Sequence, residues 1–160
     1  PDAPQTALSA IGQFEVRATA LQMAMVAASI GNSGRTMNPY LVQEIRGPDL
    51  SILQTTEPTQ FEDALKPSNS LSLTEMLVNV VENGTGSNAQ IAGVRVAGKT
   101  GTAQTGNDSP SVAWFISFAP AAAPKVAVAV VIEESGLAEV SGNGLAAPIA
   151  KEVMKAVLGS

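Results

Sequence analysis

Apolar residues spaced by three and four predict helices in several parts of the chain. Thr19 and Gln22 form the capping-box pattern, which predicts that an apolar helix follows over 21–30. The segment 72–82 carries one apolar face, made of Leu73, Met76, Leu77, Val80 and Val81. A closing helix is predicted over 143–158, with a stripe of Ile149, Val153 and Val157.

Strand patterns dominate the part of the chain before this closing helix. Core strands are predicted within 94–132, over 94–104, 112–118 and 126–132. The last segment is a continuous run of Val, Ala and Ile, which is typical of a strand covered on both faces. Only the short segment 119–124 joins the second and third strands, and a short connection favours antiparallel pairing.

Helices combined with antiparallel strands predict the α+β class, an antiparallel sheet with packed helices. The whole chain, 1–160, is long enough for one domain with its own core. Strand patterns on both sides of a turn at 47–49 predict an accessory hairpin over 40–56. Residues 1–16 are predicted to be mostly loop, and 58–67 to be irregular.

The amino-acid composition excludes several kinds of catalytic and metal-binding site. The chain contains neither His nor Cys, so a Ser-His-Asp triad, a Cys-His pair and a zinc site built on those residues are excluded within it. The net charge of -5, without a basic cluster, argues against nucleic-acid binding. The longest apolar run, Val126–Ile132, is too short to span a bilayer.

The segment Lys99-Thr100-Gly101-Thr102 is the strongest candidate for a functional site. On a strand, Thr100 and Thr102 share one face, and Lys99 lies on the other. Such a strand could pair with an extended peptide, while the hydroxyl groups and the ammonium group hold a carboxylate. A lysine that merely protects an edge strand from aggregation is the alternative interpretation.

Gly93, Gly98, Lys99 and Thr100 also match the Walker phosphate-loop pattern letter for letter. A phosphate loop lies between a strand and the helix that it opens. Here the intervening residues favour a strand, and the residues after Thr100 are poor helix formers. Nucleotide binding is therefore the weaker hypothesis.

The segment 94–104 resembles the Lys-Thr-Gly strand of class B penicillin-binding proteins. The resemblance extends in family order through Ile-Gly-Gln at 11–13, Leu-Gln-Met-Ala at 21–24, Gly-Thr-Gly at 84–86 and Ala-Trp-Phe at 113–115. The chain is most similar to the actinobacterial penicillin-binding protein A type. The resemblance implies the C-terminal half of the serine transpeptidase and β-lactamase-like fold.

The resemblance assigns roles to five consecutive residues. Lys99 would act in electrostatic stabilisation and proton relay, and Thr102 would supply an oxyanion-hole N–H. The substrate-binding residues would be Thr100, Gly101, Thr102 and Ala103. No metal and no cofactor is implied.

The family also uses Ser-x-x-Lys, which carries the nucleophile, and Ser-x-Asn. No Ser lies three residues before any Lys of this chain. Ser141-Gly142-Asn143 fits Ser-x-Asn in letters, but it follows Lys99, whereas the family places that motif earlier. We therefore interpret it as a turn and a helix cap.

The implied parent protein is a peptidoglycan D,D-transpeptidase that forms an acyl-serine with stem peptides ending in D-Ala-D-Ala and with β-lactams. Its partners would be the N-terminal half that carries the missing motifs, and division or elongation proteins. It would lie outside the cytoplasm, held to the membrane by an N-terminal segment absent from this chain. The alternative is a non-catalytic binding or scaffold module derived from the same fold.

Overall fold

The chain folds as helices packed on antiparallel sheets. The structure is a computed structural model that describes residues 2–14, 16–103, 111–136 and 140–159. Its helices are α1 (Ala3–Ala10), α2 (Ala20–Gly31), α3 (Pro67–Glu82) and α4 (Ala147–Leu158). Its strands are β1 (Arg35–Met37), β2 (Glu44–Arg46), β3 (Ile52–Thr55), β4 (Gln60–Asp63), β5 (Ala97–Ala103), β6 (Val112–Ala119) and β7 (Val126–Ile132). The predicted α+β class is confirmed.

The central sheet contains β5, β6 and β7 in that order, and both pairs are antiparallel. β7 has the predicted bounds. β5 begins later than residue 94, because Val94 instead forms an isolated bridge with Ile91. Gln104, the predicted end of this strand, lies outside the described residues. Among the described strands, β5 therefore occupies one edge of the sheet.

Two apolar clusters cover opposite faces of the central sheet. Phe115 of β6 packs with Met154 of α4, and both side chains are fully buried. Phe118 points to the other face, where it packs with Ala27 and Ile30 of α2. Because α2 and α4 both contact β7, this strand is covered on both faces, as its continuous apolar sequence predicts.

The helix α3 begins earlier than predicted and buries a different face. It starts at Pro67, a residue suited to the first turn because its missing N–H needs no partner there. The predicted apolar face is wrong at Met76, which is 63% exposed. The hydroxyl groups of Ser70 and Thr74 donate to the carbonyl groups of Ile30 and Ser70. Small hydroxyl residues can therefore line this buried face, which consists of Ser70, Thr74, Val78 and Val81.

The closing helix α4 also turns its predicted apolar stripe outward. Pro148 lies in the first turn, where its missing N–H needs no partner. The described structure leaves the stripe exposed, at Ile149, Val153 and Val157. The helix is instead buried through Ala147, Ala150 and Met154. A five-residue π turn, Gly142–Ala146, leads into α4, so the α-helix starts later than the predicted residue 143.

The remaining elements correct two predictions. The predicted loop over 1–16 contains α1, which Asp2 and Gln5 stabilise as a capping box. The segment 58–67 was expected to be irregular, but it contains β4, which pairs with β1. β2 and β3 pair across the turn at 47–49, and all of β3 is exposed. None of the described helices is long and apolar enough to cross a membrane.

Candidate active site

The residues from Lys99 to Ala103 lie on β5, at an edge of the central sheet as far as the described strands define it. Lys99 and Thr102 are exposed, whereas Thr100, Gly101 and Ala103 are half-buried. An edge strand offers unpaired backbone N–H and C=O groups along its length. The edge of β5 can therefore pair with an extended peptide.

Polar side chains on β5 project from both faces of the strand. Thr100 pairs with Phe115 of β6 in the register, and Thr102 lies on the same face. Lys99 belongs to the opposite face. Its Nζ nevertheless donates a hydrogen bond of 2.8 Å to the carbonyl oxygen of Thr100. The ammonium group thus lies against the backbone of Thr100.

A third threonine hydroxyl joins the site from the loop after α3. Thr85 Oγ1 lies 2.9 Å from Thr100 Oγ1. The loop is fixed on both sides of Thr85, since the N–H of Gly86 donates to Val80 O at 2.9 Å. The side chain of Gln90 donates to Val81 O, also at 2.9 Å. The hydroxyl of Thr85 is therefore held against β5 by a braced loop.

The same loop is clamped to the π turn by Asn143. Its Oδ1 accepts from the N–H of Asn88, and its carbonyl oxygen accepts from Asn88 Nδ2, each at 3.0 Å. Ser141 caps the turn, because its Oγ accepts from the N–H of Gly144 at 3.0 Å. The letters Ser-Gly-Asn at 141–143 therefore form the predicted cap, and they also brace the loop that carries Thr85.

Glycines allow close packing around β5 at two places. A Cβ atom on Gly98 would lie 2.6 Å from the ring of Phe115. A Cβ atom on Gly142 would lie less than 3.0 Å from Trp114 O and 2.9 Å from Gly101 O. The π turn therefore rests directly on the backbone of β5 and β6. Gly101 itself is less tightly packed, since its Cβ atom would lie 3.2 Å from Trp114 Cβ.

An ion-pair cluster holds the segment just before β5 on α3. Arg95 lies 3.1 Å from a carboxylate oxygen of Glu75 and 3.3 Å from one of Glu82. Hydrogen bonds to Glu75 first, and to Glu82 second, raise the pKa of Arg95. All three side chains are solvent-exposed, so this cluster contributes little to stability and serves mainly to orient the segment.

The structure rejects the phosphate-loop interpretation. The residues from Gly98 to Ala103 continue as one strand where that interpretation requires a helix after Thr100. Within the described ranges, no group of three or more His, Cys, Asp or Glu residues could hold a metal ion. The site thus consists of hydroxyl groups, one ammonium group and the edge of a strand.

Comparison with known proteins decides which family has this arrangement. The family model described as the penicillin-binding protein transpeptidase domain matches residues 4–155. The chain belongs to this family. The match includes β5, the loop with Thr85 and the π turn.

Relatives from mycobacteria match nearly the whole chain. The peptidoglycan D,D-transpeptidase PbpA of Mycolicibacterium smegmatis is 46% identical over 161 residues, which cover 98% of this chain and 33% of that protein. PbpA of Mycobacterium tuberculosis is 44% identical, with 99% of this chain and 33% of that protein covered. The chain therefore spans about a third of the length of these relatives.

Solved structures agree with the sequence matches. The crystal structure of PBPA from Mycobacterium tuberculosis superimposes with a TM-score of 0.90 at 44% identity, over 99% of this chain and 38% of that one. The same relative is known as an imipenem acyl-enzyme complex, with a TM-score of 0.88, 44% identity and coverage of 99% and 35%. The predicted resemblance to penicillin-binding proteins is confirmed.

Proposed function

We propose that this chain supplies the substrate-binding strand of a peptidoglycan D,D-transpeptidase, while another segment of the same protein supplies the nucleophilic serine. The observation that carries the proposal is the edge strand β5, which bears Lys99, Thr100 and Thr102. Support comes from relatives that are named D,D-transpeptidases and that form acyl-enzymes with β-lactams. The sequence offers no Ser-x-x-Lys motif of its own.

In this proposal, the strand holds the acyl donor by its backbone and its carboxylate. The hydroxyl groups of Thr100 and Thr102 donate to the carboxylate, and the backbone around Gly101 and Ala103 pairs with the peptide. The N–H of Thr102 is one donor of the oxyanion hole, where it stabilises the charge that develops on the carbonyl oxygen. The Lys99 ammonium stabilises negative charge nearby and, beside the Ser-x-Asn hydroxyl, takes part in relaying the proton of the attacking serine to the leaving group.

The acyl donor would be a stem peptide ending in D-Ala-D-Ala, and β-lactams would occupy the same strand. The parent protein would act outside the cytoplasm, anchored by a segment that this chain does not contain. Its partners would be its own N-terminal half, with the Ser-x-x-Lys and Ser-x-Asn motifs, and proteins of the division or elongation machinery.

Labelling of the whole protein with a fluorescent penicillin tests the proposal. We expect covalent labelling of the wild type and a loss of about 100-fold in acylation rate for Lys99→Met, the scale on which such electrostatic groups act. The control is Lys125→Met, the same change at an exposed lysine between β6 and β7. An unlabelled wild type would favour the scaffold alternative. Equal rates for both variants would refute the role of Lys99.

A further inference from the structure

Thr85 lies in direct contact with the proposed carboxylate-binding residue Thr100. The resemblance extends to Gly-Thr-Gly at 84–86, but it assigns no role to Thr85, which lies outside the Lys-Thr-Gly motif. The two hydroxyl oxygens are 2.9 Å apart, although 15 positions separate the residues in the sequence. Gly86, Asn88 and Gln90 each hold the intervening loop through a hydrogen bond. The contact is therefore built into the fold.

Which of the two hydroxyl groups donates decides whether Thr100 can also bind an anion. Each hydroxyl has one hydrogen to donate, and a carboxylate can only accept. Between Thr85 and Thr100, one hydroxyl donates and the other accepts. If Thr100 donated to Thr85, its hydrogen would be unavailable to a carboxylate. If Thr85 donates to Thr100, the hydrogen of Thr100 stays free to point at the ligand.

We infer that Thr85 is a positioning residue that donates to Thr100 and thereby directs the Thr100 hydroxyl hydrogen toward the carboxylate of the acyl donor. This inference rests on the proposed function. The resulting chain runs from Thr85 through Thr100 to the anion, and each hydrogen bond polarises the next. Thr85 acts only through Thr100 and does not touch the ligand.

The Lys99 ammonium strengthens this arrangement. It donates to Thr100 O at 2.8 Å, so positive charge lies close to the residue whose hydroxyl must face an anion. Charge-assisted hydrogen bonds are about twice as strong as neutral ones, and their geometry matters correspondingly more. A Thr100 hydroxyl that rotates freely would spend part of its time with its lone pairs toward the carboxylate.

The test compares two substitutions at one position in the whole protein. Thr85→Val keeps the shape of the side chain and removes the hydroxyl, whereas Thr85→Ser keeps the hydroxyl. With a penicillin that has its free carboxylate, we expect Thr85→Val to lower the second-order acylation rate about ten-fold, the scale of one hydrogen bond to a charged group. Thr85→Ser should stay within about two-fold of the wild type.

The methyl ester of the same penicillin distinguishes a positioning role of Thr85 from a general effect of its substitution on the structure of the site. The ester has no carboxylate, so Thr85→Val and the wild type should react with it within about two-fold of each other. In a Thr100→Val background, Thr85→Val should cause no further loss, because the two residues act as one unit. Thermal unfolding of each variant checks that the fold is intact.

The outcomes separate this inference from the proposed function. An unlabelled wild type overturns both. A labelled wild type with an equally labelled Thr85→Val variant overturns only the role of Thr85. A ten-fold loss that is the same for the acid and the ester also overturns it, since that result would show a general distortion of β5.

Discussion

Replacing Gly142 with alanine tests whether the π turn sets the position of the substrate-binding strand. The added Cβ would meet backbone atoms, namely the carbonyl oxygen of Trp114 at less than 3.0 Å and the oxygen and nitrogen of Gly101 at 2.9 and 3.1 Å. Backbone atoms cannot rotate away as a side chain can. The turn must therefore shift, although Ala147 and Ala150 just after it are completely buried.

The expected destabilisation is at the upper end of values for overpacked cores, about 3 kcal/mol. For a unit of 150–250 residues, that corresponds to a fall in melting temperature of roughly 6–12 °C, and a larger cooperative unit would show a smaller fall. Differential scanning fluorimetry of the whole protein measures this fall. Penicillin acylation of the folded variant at low temperature should also slow, because Gly101 of β5 is one of the two residues that the new Cβ meets.

Gly144→Ala is the matched control in the same π turn. Its Cβ would lie 3.0 Å from Ser141 Oγ, a flexible side-chain atom that can move. We expect a much smaller change in both melting temperature and acylation rate. A Gly142→Ala variant as stable and as reactive as the wild type would refute the claim that the turn packs directly on β5.

Three further changes test other parts of the account. Ser117 Oγ is buried without a hydrogen-bond partner among the described residues. Ser117→Ala should therefore leave the free energy of unfolding unchanged or raise it by about 1 kcal/mol. A clear fall in melting temperature would contradict this. Met154→Ala should lower the free energy of unfolding, measured with denaturant, by about 2–5 kcal/mol, because it leaves a cavity at a fully buried site against the sheet. A loss below about 1 kcal/mol would contradict that packing. Hydrogen bonds from the Ser51 hydroxyl first, and from the Ser51 N–H second, lower the pKa of Asp49. The ionised carboxylate therefore stabilises the folded turn at pH values above the unfolded-state pKa of Asp49. This stabilisation is lost as the pH falls through the lower, folded-state pKa. A carbon-13 titration should show Ser51→Ala raising the pKa of Asp49, and an unchanged titration curve would contradict the contact.

The strands β6 and β7 could be predicted because most of their residues are apolar and many are β-branched or aromatic. β7 has the predicted bounds, and the prediction that Thr100 and Thr102 share a face follows from strand periodicity alone. The capping box at Thr19 was equally readable, and the structure has both of its hydrogen bonds. Such signals depend only on neighbours in the sequence.

Helix orientation could not be predicted in the same way, because it depends on packing partners that lie far along the chain. Ser70 is polar, yet it is buried because its hydroxyl donates a hydrogen bond to the carbonyl oxygen of Ile30. Ile149 looks apolar, yet the space against the sheet near α4 is taken by alanines and Met154. The contact between Thr85 and Thr100 was missed for the same reason, since it joins separate elements.

Mapping the acylated serine is the most direct test of the central claim, that this chain binds the acyl donor but does not attack it. The whole protein is reacted with penicillin and digested, and the modified peptide is identified by mass spectrometry. We expect an acyl group on a serine outside residues 1–160, in a Ser-x-x-Lys sequence, and no label on the chain expressed alone. An acyl group on any serine within 1–160 would contradict it.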